Sequence, residues 1–396
     1  MKIRIIAIAA ICATVVSCNS GKNKIPDGWV IKNEVKDLET VDLQEIAEII
    51  DVKPIVSDEP MDEISYLNGI NNDFIAVNNR CRTFYHIRDG KLVDKLNTVG
   101  NGPNEYQELS KFSYLPADNL FYGYDRRGRI MCFQTSPFKF VSKSDINYHP
   151  YSLIAIGRDQ LLITSQPPIE ECKDVEVQSV PGISGALMRK IKDSSAVYSF
   201  DGHSLTKLFC MVIPGEDFAF TRSGNDVLMT LLMPQHTLCR YAGGKIEKIL
   251  TIDYGKMERP EPQIKAEKQN GDLLAINIVF EGDYSIGCYF PQLKGSTLAY
   301  WHRTVLSKKE HHCLSIATPN NLHVYTLSIG GLNINVSPDM LDNGVYTMVI
   351  QGDWESKIDS DESLSPLGKR IIDALKQNNE NPIYLQFRLK DKYLKD

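Results

Sequence analysis

A turn residue followed by the start of an apolar strand recurs along most of this 396-residue chain, and no other feature constrains its fold as strongly. The instances are Asn72-Asp73-Phe74-Ile75, Asp118-Asn119-Leu120-Phe121, Asp159-Gln160-Leu161-Leu162, Asn225-Asp226-Val227-Leu228, Gly271-Asp272-Leu273-Leu274 and Asn320-Asn321-Leu322-His323. Their first apolar positions are spaced 46, 41, 66, 46 and 49 residues apart. A four-stranded propeller blade takes roughly 40–50 residues. The spacing therefore predicts an all-β fold, a six-bladed β-propeller, with an inserted loop at residues 167–185 in the long third interval.

A second signal follows the first at a similar phase. Asp89-Gly90, Asp201-Gly202 and Gly243-Gly244 each separate two β-rich runs, and such pairs tolerate the positive φ of a two-residue hairpin turn. The second repeat has Ser136-Pro137 instead, and the strand of the fifth could start equally well at Asp283-Tyr284-Ser285-Ile286. A parallel α/β sheet needs crossover helices, and helical periodicity is almost absent between residues 60 and 350. A single β-sandwich holds only about 100 residues. One short helix is expected near the C-terminus, with Ser365 as N-cap, Pro366 at its first position, and Leu367, Ile371 and Leu375 on one face. After Asn381-Pro382, the run Ile383-Tyr384-Leu385-Gln386-Phe387-Arg388-Leu389 alternates as a strand. It is expected to close the ring by pairing with an N-proximal strand within residues 49–56, leaving no open seam.

The first residues point to export. Lys2 and Arg4 precede an apolar stretch at residues 5–16, too short to span a bilayer but suited to a signal peptide. It ends in Val15-Val16-Ser17-Cys18, which resembles the lipobox of bacterial lipoproteins. That resemblance implies cleavage before Cys18 and acylation of its thiol. The expected organisation is a signal peptide over 1–17, the lipidated Cys18 with a tether over 18–40, and the propeller over 41–396. Removing residues 1–17 removes two of 44 basic residues and none of 50 acidic ones, leaving about −8. That balance argues against nucleic acid as a partner. Seven cysteines lie beyond Cys18, an odd number without CxxC spacing, and are expected as buried free thiols.

Between the first two repeats stands Gly100-Asn101-Gly102-Pro103-Asn104-Glu105-Tyr106. It resembles the GxGPGEY signature of six-bladed, NHL-like propeller lipoproteins of Bacteroides-type bacteria, with Asn104 in place of a glycine. Asn381-Pro382-Ile383-Tyr384-Leu385 is similar to the C-terminal strand of that family. The resemblance covers about residues 40–390. It implies architecture and an envelope location, and carries no chemistry.

Candidate site residues are few. Glu105 and Tyr106 form the candidate binding pair, an acid and an aromatic suited to a glycan or peptide. Gly100, Gly102 and Pro103 are expected to shape the crossing between blades, the glycines through special backbone angles. His302, His311, His312 and His323 cluster near Cys313, but the spacing matches no metal-ligand motif, and neighbours on a strand point to opposite faces. No GxSxG elbow, Walker loop or GxGxxG follows a strand, so no catalytic residue, metal or cofactor is expected. The expectation is a monomeric, non-enzymatic binding or scaffolding propeller, anchored to the outer membrane on its periplasmic face. Its partner would be an envelope protein or an extracellular ligand such as a glycan. The alternative is a carbohydrate-active lyase or hydrolase.

Overall fold

Two of the three expected two-residue hairpin turns are present; at Asp201-Gly202 four residues join Ala196–Phe200 to Leu205–Cys210, and Gly202 alone of the pair has positive φ. Asp89 and Gly90 have φ of 50° and 77°, Gly243 and Gly244 of 57° and 82°, the two left-handed residues that a type I′ turn requires. The computed structural model describes residue 26 and residues 28–394, apart from 36, 79–81, 167–174, 180–186, 192–195, 211–219, 225, 233–235, 261–262, 270–271, 360–362 and 379–380. The expected signal peptide and Cys18 lie outside the described residues.

Six antiparallel four-stranded blades form a propeller. Blade one holds Tyr66–Ile70, Asp73–Asn78, Thr83–Arg88 and Lys91–Leu96. Blade two holds Leu109–Leu115, Leu120–Asp125, Arg129–Gln134 and Lys139–Asp145. Blade three holds His149–Gly157, Gln160–Gln166, Ala196–Phe200 and Leu205–Cys210. Blade four holds Phe220–Ser223, Asp226–Leu232, His236–Ala242 and Lys245–Asp253. Blade five holds Tyr284–Lys294, Thr297–Leu306, Lys309–Ala317 and Leu322–Ser328. Blade six joins Met340–Asp342, Val345–Ile350 and Ile383–Leu389 to the N-terminal strand Ala47–Pro54.

The sixth blade closes the ring as the sequence predicts. Ile383–Leu389 pairs antiparallel with Ala47–Pro54 on one side and with Val345–Ile350 on the other. Ile383, Leu385 and Phe387 are fully buried, but so is Tyr384 on the opposite face; Arg388 is exposed. A strand inside a blade is covered on both faces by the neighbouring blades, so alternation survives only on outer strands such as Lys91–Leu96. The helix Pro366–Gln377 precedes this strand, with Gly368 N–H donating to the Ser365 hydroxyl and Leu367, Ile371 and Leu375 buried. Asn378 donates through Nδ2 to the carbonyls of Ile55 and Pro382, tying the helix end to both strands of the closure. Among the described residues no helix is long and apolar enough to cross a membrane.

Two of the repeat assignments differ from the structure. The instances at 74, 120, 161 and 227 do mark the second strand of blades one to four. Leu273 instead lies in Asp272–Val279, which pairs with Gln263–Gln269 as a hairpin inserted between blades four and five. Leu322 starts the outermost strand of blade five. Blade five begins at Tyr284, the alternative start, and blade six follows it. A turn-then-strand signal marks any hairpin, inserted or not, so local chemistry does not separate the two. The third interval holds a comparable hairpin, Val175–Ser179 with Leu187–Ile191, inside the region expected as an insertion and just beyond it.

Packing also begins before residue 41. Val30–Lys32 adds a parallel fifth strand to the outer edge of blade four, and Glu39–Asp42 does the same for blade five. Trp29, Ile31, Asn33 and Val35 are buried. Asn33 Nδ2 donates to the Tyr300 hydroxyl at 2.6 Å and to Ser315 Oγ at 3.1 Å, both within blade five. The part of the expected 18–40 tether from residue 28 onward therefore forms a belt across two blades, because its apolar positions cover strand edges that would otherwise face water.

Candidate functional site

The innermost strands all start on one face of the ring, and there an axial cavity of about 670 Å³ opens. Each blade contributes a few residues: Tyr66 and Asn68, Lys111 and Phe112, Tyr151, Phe220, Tyr289 and Phe290, and Asp339 just before the inner strand of blade six. The crossings between blades enter on this face, and both inserted hairpins are rooted in connections that return to it. Tyr66, 56% exposed, is the one aromatic among the exposed large hydrophobic side chains of the described residues.

Blade five departs from regular pairing where it meets the cavity. Gly287 has φ of 94° and Phe290 of 50°, and the register to Thr297–Leu306 shifts on both sides of Tyr289. A Cβ on Gly287 would lie 2.2 Å from the Tyr289 ring, so only glycine lets that ring fold back across the strand. The bulge re-aims Tyr289 and Phe290 and lets Trp301, Arg303 and His312, from the second and third strands, reach the cavity wall. A non-glycine residue held at positive φ beside a cavity is a recurrent mark of functional sites.

The polar groups of the wall have distinct states. Burial pushes the Asp339 carboxyl up to about 6, although its Oδ2 accepts the Val349 N–H at 2.7 Å. Burial drives His302 down to about 3, so it is neutral; its Nε2 meets Ser315 Oγ at 2.9 Å and its Nδ1 meets Thr304 Oγ1 at 3.1 Å. His312 lines the cavity 3.5 Å from Glu310, whereas its neighbour His311 is not part of the wall. Cys313 pairs across the strand with His302 and is a buried free thiol, as are Cys132, Cys239 and Cys288. Burial raises all four thiols, Cys313 to about 11. Cys81, Cys172 and the side chain of Cys210 lie outside the description.

The pair singled out in the sequence is placed elsewhere. Tyr106 is completely buried; its hydroxyl donates to the Arg82 carbonyl at 2.7 Å, and its ring packs edge-on to Phe84 and Phe133. It presents no surface to a ligand, which corrects its candidacy as a binding residue. Glu105 turns back into its own loop, where its Oε2 accepts the Gly102 N–H at 2.7 Å. Gly100 and Gly102 are not at positive φ, contrary to the expected special angles. Their lack of a side chain leaves room for that carboxylate: a Cβ at Gly100 would sit 2.0 Å from it, and at Gly102 2.9 Å from its carbon, so a larger residue would displace the Glu105 side chain. Pro103 is exposed, its carbonyl 3.3 Å from Lys143 Nζ. Arg129 anchors the loop through Nη2 to the Glu105 carbonyl at 2.7 Å, while its Nε meets the buried Asp125 carboxylate at 2.8 Å.

A Ser–His–Asp chain does occur on the opposite face. His86 Nδ1 lies 2.8 Å from Ser136 Oγ, and its Nε2 lies 2.8 Å from Asp73 Oδ1. The Asp73 carboxylate also accepts from Tyr114 at 3.0 Å and from Arg88 at 2.9 Å. Burial would raise this carboxyl, but the hydrogen bonds from His86, Tyr114 and Arg88 outweigh it and hold it low. His86 has no exposed surface. The imidazole is thus shut into the seam between blades one and two, and the chain is a lock between blades.

Sequence reasoning touched the cavity wall only at His302 and His312, weighed there as metal ligands. The wall stretches from Tyr66 to Asp339, with one residue from blade four and six from blade five, and most of its members stand near the start of an innermost strand.

No protein-family model matches the sequence, and no curated protein matches it. Among solved structures, a Bacteroides fragilis protein described as exported is similar with a TM-score of 0.57 at 12% identity, covering 91% of this chain and 99% of that one. A DUF4221 member from Bacteroides vulgatus gives 0.43 at 6% identity, over 88% and 99% of the two chains. The β-propeller domain of Myceliophteria thermophila Cps50 (Swd1) gives 0.36 at 8% identity, over 70% and 87%. At 12% identity the first similarity establishes a shared fold over nearly the full length, and the ligand has to be read from the cavity itself.

Proposed function

We propose that this chain is an exported, lipid-anchored propeller that binds a glycan in its axial cavity without cleaving it. The observation that carries this reading is the wall of the cavity. Aromatic rings from Tyr66, Phe112, Tyr151, Phe220 and Tyr289 surround a volume typical of a ligand site, with a small set of polar groups among them. An aromatic face stacks on the apolar C–H face of a sugar ring, while amide, hydroxyl and charged groups take its hydroxyls. Hydrolysis of a glycosidic bond ordinarily needs two carboxyl groups flanking it. Among the described lining residues Asp339 is the single carboxyl, which favours binding over cleavage.

The test is a glycan array with the delipidated protein, read beside a turnover assay on every glycan retained. Retention without turnover is expected, and lost on Tyr66→Ala and Tyr289→Ala together. Release of shortened sugars would put the carbohydrate-active enzyme in its place. No retention of any glycan would refute the saccharide reading.

Export and anchoring rest on the leader and on Cys18, and the Bacteroides fragilis protein of the same fold is described as exported. Two acyl chains on Cys18 would supply the two membrane signals that stable anchoring takes. Asn19 and the run to Lys24 carry no acidic residue, in keeping with the periplasmic face of the outer membrane.

A further inference from the structure

Below the aromatic part, the axial cavity continues into a narrower space of about 50 Å³ that shares Leu67, Asn68, Ile154, Phe220, Phe290 and Asp339 with it. Arg222, on the innermost strand of blade four, lines this narrow end. Its Nη2 donates to the carbonyls of Ala155 at 2.7 Å and Tyr114 at 3.2 Å. Among the described residues no carboxylate forms an ion pair with it, and its Nε and Nη1 have no protein acceptor. Asp342 is the acid whose charge it feels, but burial raises that carboxyl, which already accepts from Asn343 Nδ2 at 3.1 Å. A guanidinium partly withdrawn from water and held by backbone carbonyls keeps N–H donors free for an anion.

Two more cations line the wide part. Lys111 has no hydrogen bond or ion pair among the described residues. Arg303 also lines the wide part, 4.0 Å from Glu310. Against them stands Asp339, whose burial favours the neutral form. A cationic lining in a chain of net charge −6 is a local field of opposite sign to the whole molecule, and it concentrates anions.

We infer that the ligand of the axial cavity is an acidic saccharide, its sugar ring against the aromatic wall and its carboxylate taken by Arg222 at the narrow end, with Lys111 as the second cation. This deepens the glycan-binding reading and rests on it. Both Nη2 hydrogens serve the Ala155 and Tyr114 carbonyls, so a carboxylate would be met by single charge-assisted N–H donors on the edge left by Nη1 or Nε. The same edge would reject a neutral sugar only weakly, so the inference concerns preference and not mere binding.

The experiment is calorimetric titration of the delipidated mature chain with trigalacturonate, with the neutral galactotriose, and with triglutamate. Trigalacturonate is expected to bind about tenfold or more tighter than the neutral sugar, the increment of one charge-assisted pair. Arg222→Gln should bring the two sugars to within about twofold while neutral binding persists. Because Arg222 also ties two carbonyls, its variant is checked by thermal melting, and Lys111→Gln, which breaks no contact, should by itself reduce the preference severalfold. Equal affinity for both sugars in the wild type overturns the acidic preference and leaves glycan binding standing. Binding of neither sugar removes both. Triglutamate binding as tightly as trigalacturonate overturns the saccharide assignment, since the cavity would then be reading charge on a peptide.

Discussion

Tyr106 and Asp339 exchange the parts that residue type alone would assign them. Tyr106 looks like a ligand platform, yet its hydroxyl serves two backbone carbonyls, Arg82 at 2.7 Å and Leu96 at 3.2 Å. Tyr106→Phe should leave ligand affinity unchanged and destabilise the fold by about 1–3 kcal/mol, measured by urea unfolding, because those carbonyls lose their donor. Asp339 looks like an ordinary loop acid, yet burial at the cavity raises it to about 6. The folded state then holds its proton where the unfolded chain has released it. Stability from this group is full below the ordinary carboxylate value near 4 and lost as pH rises to about 6. Asp339→Asn should flatten that slope and gain about 1–2 kcal/mol at neutral pH, allowing for partial solvent screening. A wild-type stability curve flat between pH 4 and 6 would contradict the assignment.

Individual strands carry very unequal weight. Ile383–Leu389 lies inside blade six with both faces covered, and it alone joins the last blade to the N-terminal strand. Phe387 is fully buried, stacked on Tyr346 and edge-on to Trp301 of blade five. Phe387→Ala should destabilise by about 3–5 kcal/mol, whereas Arg388→Ala, on the exposed position of the same strand, should stay within about 0.5 kcal/mol. Truncation before Asn381 removes the strand and should abolish cooperative melting of the whole ring. A truncated chain melting like wild type would place the closure elsewhere.

At the scale of the molecule, the ring is bound from outside as well as closed from within. The belt of residues 28–42 crosses blades four and five before its chain becomes the outer strand of blade six. Asn33→Ala should therefore cost about 1–3 kcal/mol, by stripping a buried donor from Tyr300 and Ser315; a tether would show no effect. Anchoring is tested on the same scale. Cys18→Ala should end palmitate labelling and release the protein from membranes, while protease added to intact cells should spare the wild-type chain. Membrane retention of the unlabelled variant, or rapid digestion at the surface, would each contradict the proposed placement.

The sequence by itself determined the all-β repeat of hairpins, the turns at Asp89-Gly90 and Gly243-Gly244, the closing strand and the helix before it, because turn residues, strand runs and caps act through neighbours along the chain. Asp89-Gly90 and Gly243-Gly244 adopt the turn their residues demand wherever the strands go. The tertiary structure alone decided which turn-and-strand signals belong to blades and which to inserted hairpins, since Leu273 and Val227 carry the same local chemistry. It decided that residues from 28 onward pack, because edge strands of blades four and five offer partners more than 200 residues away. It also made the site: Tyr66, Lys111, Arg222, Tyr289 and Asp339 are each unremarkable in sequence, and only radial closure brings five innermost strands and one crossing to a common axis. Convergence of that kind depends on contacts distant in the chain, which no local pattern records.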